Sequence, residues 1–404
     1  VLRVPTIRAI ETREAAAPSS WDLMVTGVGL DTDAGVLVSP YLAENLSAVF
    51  ACVQIIAETV ATLPVVVYRR AGDGRAVEPQ HPVARLFADQ PNERQTAPEF
   101  IEQLTAHCLL RGNAYAEIRW DARGAPAELI PLHPDSVAVL RVPGTRRIVY
   151  EVADPDGGTR RLLPEQVLHL KDRTDDGVVG RSRLSRARET FATAIATERF
   201  AASTYKNGAA LTGVLQTPEA ISDATAARLR TSFDDIYKGS GNAGKVAVLE
   251  ESLTFKAISV SPADAEMLAS RRLGVENICR IFRVPAPIAG DLTHATYSNI
   301  TELNRTFTTH TLSPWLTRWE AALRRSLLSA AARQNYLIEF DTDLLLRGDM
   351  LTRFQSYRIG REVGLYSAND LRRFENLNPR TDAEADVFLA PLNMNPEQAG
   401  QAKG

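Results

Sequence analysis

Residues 182–208, SRLSRARETFATAIATERFAASTYKNG, decide the architecture. Leu184, Ala187, Phe191, Ala194, Ile195, Ala201 and Tyr205 recur at helical spacing along one stripe, and Asn207-Gly208 is a stop signal. The count predicts a helix of about seven turns. A second long helix opens at Ser261-Pro262, carries Leu268, Val275, Ile278 and Phe282 at packing intervals, and is ended by Pro285 and Pro287. Between them the pattern reads strand 213–216, helix 223–237, a Gly-rich turn, and strands 245–249 and 253–259. Two long helices therefore bracket a small α/β insert.

Upstream, Asn45 to Leu63 is apolar nearly all round, the mark of a helix buried between layers, and Pro64 stops it before the β-branched strand Val65-Val66-Val67-Tyr68. Gly72 to Gly74 reads as a turn, and HPVARLFADQPN (81–92) as a short helix. Thr96-Ala97-Pro98-Glu99 is a capping box that starts the helix Phe100 to Arg111, with Gly112 placed for a left-handed C-terminal cap. Segments 113–120, 128–132, 136–141, 147–152 and 166–171 alternate like strands, so 45–175 forms one α+β unit.

Residues 1–40 mix Pro, Gly, Ser and Asp without a period and read as an extended arm. Downstream, Gly290 to Ser298 (GDLTHATYS) is an unpatterned polar loop, and a third long helix spans 298–328 with Pro314 in its middle, where a kink is expected. A strand 336–340, helices 349–360 and 368–373, and a frayed tail after Leu389 complete the chain.

Composition narrows the function. The 404 residues suffice for two to three structural units at about 150 residues each, and the chain is 45% hydrophobic and 24% charged. Those values exclude a wholly disordered chain and a disulfide scaffold. The longest apolar run, around Val49 to Ala57, is interrupted by Gln54 and is too short to cross a membrane, and no leader-like segment opens the chain, so secretion is not expected. Cys52, Cys108 and Cys279 sit in apolar stretches and read as buried free thiols of a reducing compartment. A net charge of −3 excludes a protein that grips nucleic acid by overall basicity, though not one that lets it slide past. Only six of the 46 basic residues are lysines, which reads as an arginine-favouring genome rather than a binding device.

The motifs of enzymes are incomplete. Gly239-Ser240-Gly241-Asn242-Ala243-Gly244-Lys245-Val246 imitates a phosphate-binding loop, but Val246 replaces the magnesium-binding hydroxyl and the helix precedes the loop instead of following it. Glu339, Asp341 and Asp343 alternate on a candidate strand, as a two-metal site requires, without a His or Lys partner. His107-Cys108 point apart on a helix, and no G-x-S-x-G elbow is present. Arg271, Arg272, Arg280 and Arg283 read as a solvated or intersubunit face. No catalytic, metal or cofactor residue is assigned; a nucleotide- or metal-dependent hydrolase using Lys245 or Asp341 and Asp343 stays as an alternative.

The order of short motifs resembles the portal proteins of long-tailed double-stranded DNA phages, including those of gene transfer agents. The stretches run from 56–64 (IAETVATLP) and Tyr68-Arg69-Arg70 through His81-Pro82-Val83, Pro91-Asn92, 112–116 (GNAYA) and 167–170 (VLHL). They continue with 176–182 (DGVVGRS), Asn207-Gly208-Ala209, 281–285 (IFRVP) and 296–299 (TYSN). Asp370 departs from the family, which usually carries Glu there, and the C-terminal end is short.

The resemblance implies an α+β portal fold divided as an arm (1–40), wing (41–181 and 299–349), stem helices (182–208 and 261–289), clip (209–260), tunnel loop (290–298), crown (350–388) and disordered tail (389–404). It implies a ring of about twelve copies at one capsid vertex of a virion or phage-like particle made in the host cytoplasm, with a head-tail adaptor or scaffold ring as the alternative. The implied partners are the major capsid protein, the terminase large subunit, a head-tail adaptor and double-stranded DNA without sequence specificity, with no membrane and no cofactor. Thr293, His294, Thr296 and Tyr297 of the tunnel loop are then the DNA-contacting residues, and Lys238, Asn242 and Lys245 of the clip face terminase or adaptor. About twelve copies at −3 each carry a net −36, which leaves DNA mobile rather than held.

Overall fold

The structure is a computed structural model that describes residues 32–389, apart from 73, 146, 155–156, 207–212, 217–227, 229–230, 232–253, 258–262, 293–299, 343–349 and 376. The chain divides into two compact units, Val1–Phe340 and Asp341–Gly404.

In the first unit the helix Ser47–Ala61 buries Val49, Cys52, Val53, Ile56, Ala57 and Val60, as its near-continuous apolar sequence requires. It packs on the helix Ala97–Arg111, whose capping box forms: the Glu99 carboxylate accepts from Thr96 N at 2.8 Å and Thr96 Oγ1 at 2.7 Å. Three small antiparallel sheets belong to the same unit. One has the strand order β11-β1-β2, from Tyr336–Phe340, Val65–Ala71 and Gly74–Val77, with Val67 opposite Ile338. The second is β4-β3-β8, from Pro126–Leu132, Asn113–Trp120 and Val167–Lys171. The third is β5-β6-β7, from Val137–Arg141, Ile148–Ala153 and Thr159–Leu162. Tyr115, Leu132 and Val167 of the second sheet meet Tyr150, Val152 and Leu162 of the third in one buried cluster. Within the insert, β9 (Gly213–Gln216) pairs antiparallel with β10 (Thr254–Ala257).

Several expectations need correction. The turn expected at Gly72 to Gly74 does join β1 to β2, closed by the Ala71–Gly74 pair, but Thr159–Leu162 forms a strand that polar Arg160-Arg161 concealed. The arm is not wholly extended: Val36 and Val38 are buried in the body, and Ser39 caps a short helix, Pro40–Glu44. The first long helix is broken at Ala187 (φ −117°, ψ 30°) into Arg183–Arg186 and Arg188–Lys206. The strand carrying Glu339 ends at Phe340, so Asp341 lies beyond it; Glu339 is paired with Arg75, and Asp343 lies outside the described residues.

Pro314 does not kink its helix in the simple way expected. The chain runs Ile300–Phe307, then a π turn Thr308–Leu312, then Ser313–Leu327. Ser313 N donates to Thr308 O, five residues back, so the widened turn absorbs the proline's missing donor. Thr311 Oγ1 in that turn donates to the carbonyl of Arg283.

Arg283 closes the second long helix, Ala263–Phe282, in the left-handed region (φ 61°), and Val284 N reaches back to Cys279 O at 3.0 Å. That conformation suits glycine. Arg283→Gly is expected to raise stability by about 1 kcal/mol, since a β-carbon there costs about that much, and denaturant unfolding would read it as a higher midpoint with an unchanged slope.

In the second unit, helices Met350–Glu362 and Ala368–Phe374 are joined through Gly364 (φ 75°). Asp370, the departure from the family pattern, still closes a capping box: it accepts from Ser367 N at 2.9 Å and donates its own N–H to Ser367 Oγ at 3.1 Å. Among the described residues no helix is long and apolar enough to cross a membrane.

Candidate functional site

Three of the sequence motifs meet at one buried polar junction, where β3 and β8 face the start of the first long helix. Asn113 leads β3, and its side chain makes a reciprocal pair with Gly180: Nδ2 donates to Gly180 O at 2.7 Å and Oδ1 accepts from Gly180 N at 2.8 Å. The same Oδ1 lies 2.9 Å from His169 Nε2, and His169 Nδ1 lies 3.0 Å from the Tyr150 hydroxyl. Because Asn113 Oδ1 only accepts, Nε2 carries the imidazole proton and Nδ1 accepts from Tyr150. Burial, with Lys171 and Arg325 as further positive charges, holds the His169 pKa well below its ordinary value, so the ring is neutral. Ser182 caps the helix start through Leu184 N and donates to Leu110 O at 2.7 Å.

Asp172, just past β8, is the charged centre. Its backbone N–H donates to Gly112 O at 2.9 Å, and its carboxylate receives Arg183 Nε at 2.7 Å and the Arg318 guanidinium. Arg183 also donates to the carbonyls of Ile281 and Phe282 at 3.3 Å, which are among the unsatisfied last carbonyls of the second long helix. The rings of Phe282 and Trp315 lie against Arg183, and Arg318 lies over Trp315. Burial would push the Asp172 carboxyl up, yet the Arg183 charge and hydrogen bond, the Arg318 charge and the Arg173 amide together hold it below the usual carboxylate value. Trp319 completes the tie by donating to Thr105 Oγ1 at 3.0 Å.

The arrangement is mechanical. Asn113, His169 and Asp172 spend their hydrogen bonds on other protein groups, so the junction holds one sheet and three long helical segments in register. Among the described residues no group of His, Cys, Asp or Glu side chains is arranged to hold a metal ion. His107 stacks edge-on against His133, and burial with nearby Arg111 and His133 lowers its pKa to about 4. Arg271 is paired in two contacts with Glu198, and Arg280 with Glu276 and Asn277, as a solvated face predicts.

The tunnel-loop residues Thr293, His294, Thr296 and Tyr297 lie outside the described residues, as do Lys238, Asn242, Lys245 and the whole phosphate-loop imitation. The described flanks of the loop are Gly290 (φ 96°), Asp291 and the exposed Leu292 on one side and Ile300 on the other. Sequence reading missed Asp172, Arg183 and Arg318. Asp172 lies two residues past the quoted 167–170 stretch, directly after Lys171 ends β8, and an acid at the end of a buried strand was the available signal.

The buried polar groups described above tie one small sheet to long helices. The family described as "Phage portal protein" matches residues 47–376, and the chain belongs to it. It is 32% identical over 399 residues to the "Probable portal protein" of Streptomyces phage phiC31, spanning 96% of this chain and 86% of that one. It is 31% identical over 340 residues to the "Portal protein" of Enterobacteria phage HK97, spanning 83% and 79%. Among solved structures it is similar to a chain in the neck of an empty gene transfer agent particle, with a TM-score of 0.57 and 27% identity over 82% of this chain and 90% of that one.

Proposed function

We propose that the chain forms a ring at one vertex of a phage or phage-like capsid and serves as the channel through which double-stranded DNA is packaged and released. Family membership across 47–376 carries this reading. The six-fold averaging used for the gene transfer agent neck is compatible with twelve copies, because six divides twelve. In this reading the sheets and their helices are the wing, the helices Arg188–Lys206 and Ala263–Phe282 are the stem, the insert is the clip, and Met350–Glu362 with Ala368–Phe374 belong to the crown. The clip, through Lys238, Asn242 and Lys245, docks the terminase large subunit and later a head-tail adaptor. The protein has no active site of its own, and the hydrolysis that drives DNA belongs to its partner.

Thr293, His294, Thr296 and Tyr297 touch phosphates in passing and read no sequence, since a translocation channel accepts every sequence. Replacing His294 and Tyr297 together by alanine is expected to lower the yield of filled particles about tenfold, the effect of losing about 1.4 kcal/mol of contact. Unchanged packaged length and yield would remove the loop from the channel. The ring itself is tested by light scattering of the purified chain and negative-stain images of the eluted species. A ring with an axial hole is expected, and a small species that stays small with capsid protein added would overturn the reading.

A further inference from the structure

We propose that Cys52 and Cys279 form an oxidation site that a hydroperoxide closes to a disulfide, joining the helix Ser47–Ala61 covalently to the end of the stem helix Ala263–Phe282. The two sulfurs are 227 positions apart in sequence and 3.9 Å apart in space, with Cys52 Sγ directed at Cys279 Sγ. Both are free and buried. A disulfide needs about 2.05 Å, so the sulfurs have to close by about 1.9 Å, a side-chain adjustment between two helices already packed together.

The shared hydrogen bond also divides the labour between the thiols. The proton that Cys52 offers holds the Cys279 pKa below its ordinary value, although burial and the nearby Asp291 and Glu276 oppose this; the same bond and burial push Cys52 up. Cys279 is therefore the sulfur that reacts first. Its thiolate attacks one peroxide oxygen, the O–O bond breaks, and a sulfenic acid and hydroxide result. Cys52 then loses its proton and attacks the sulfenic sulfur, releasing the second oxygen as water. Two thiols and one hydrogen peroxide give one disulfide and two waters, with two electrons passing from sulfur to peroxide.

A route in is present. A groove of about 840 Å3 runs between the helices Arg188–Lys206 and Ala263–Phe282 and reaches the start of the helix Ser47–Ala61, with Ala48, Val275, Asn277 and Ile278 in its lining. Ala48 and Val275, which line the groove, each precede a reactive cysteine by one helical turn, so hydrogen peroxide held there is close to the pair. Cys108 is the internal control: it is also buried, but its sulfur faces the carbonyls of Gly112 and Leu170 at 3.7 Å instead of a second sulfur.

The test uses the purified full-length chain, treated with hydrogen peroxide while folded, then denatured and alkylated. The expected product lacks two alkylatable thiols, is lighter by two hydrogens, and yields a linked Cys52–Cys279 peptide in non-reducing mass spectrometry, with Cys108 alkylated. Its melting temperature rises and returns to the starting value with dithiothreitol. Cys279→Ala abolishes the link and leaves Cys52 alkylatable. Three alkylatable thiols after treatment, or sulfinic acids at Cys52 and Cys279 without a link, would overturn the proposal.

Discussion

Gly180→Ala should leave little or no folded protein, and Gly112→Ala should behave alike. A β-carbon on Gly180 would stand 2.1 Å from the Gly112 carbonyl oxygen and 2.9 Å from Asp172 N. One on Gly112 would meet Ser182 N at 2.6 Å, Arg181 C at 2.7 Å and Gly180 O at 2.8 Å, at a residue whose φ is 78°. Every one of these neighbours is backbone, and the segments that carry them are clamped by the Asn113–Gly180 pair and the Asp172 N–H bond to Gly112. No side chain can swing aside. The segments must separate, which breaks the junction, so a loss above about 4 kcal/mol is expected, in the range reserved for such clashes. Gly124→Ala is the matched control: its φ is 76°, but nothing lies within 4 Å of the added carbon, so only the conformational cost of about 1–2 kcal/mol applies. Denaturant unfolding of the soluble fractions compares them, and equal losses for Gly124 and Gly112, whose φ values match, would show that crowding at the junction is unimportant.

The two glycines also show what the sequence does and does not disclose. Gly112 was legible as a helix cap, because a glycine directly after an amphipathic run is a local signal. Its second task, allowing the 180–182 backbone to pass within contact distance, depends on a residue 68 positions away and has no local sign. The strands 113–120 and 336–340 were legible to the residue, since alternation and breakers are local, whereas Thr159–Leu162 was hidden because Arg160, half-buried and paired with Glu117 and Asp154, stands where an apolar residue would have marked the inner face. Pro314 was legible as a disturbance, yet the remedy, a π turn tied to Arg283, comes from tertiary contact. The same limit concealed the Asp172 centre. An aspartate and two arginines at 172, 183 and 318 are ordinary surface residues until the fold buries them together.

Asp172→Ala is expected to cost about 3–5 kcal/mol, the loss that follows when one partner of a buried ion pair is removed. The carboxylate side chain is only 6% exposed, and it faces two guanidinium groups that no other acid reaches among the contacts at the junction. Removing it leaves Arg183 and Arg318 charged beside Trp315 and Phe282, with their positive charges repelling one another. Arg183 would keep its bonds to Ile281 and Phe282 carbonyls, so the stem helix end should hold while the link to β8 is lost. Asp172→Asn separates charge from shape and should cost less, because an amide oxygen still accepts one guanidinium hydrogen. The acid range supplies an independent reading. The folded pKa of Asp172 lies below its unfolded value near 3.8, so its stabilisation is present above that value and fades as pH falls through the folded pKa. Neutral His169 acts in the same sense at higher pH: its folded pKa lies well below 6.5, so stability present above 6.5 declines as pH falls beneath it. Wild type should therefore weaken in two stages on acidification, first from about 6.5 and again below about 3.8. The Asp172→Ala chain should keep the first stage and lose the second at this site, and a variant that retained both in full would remove Asp172 from the charge balance of the junction.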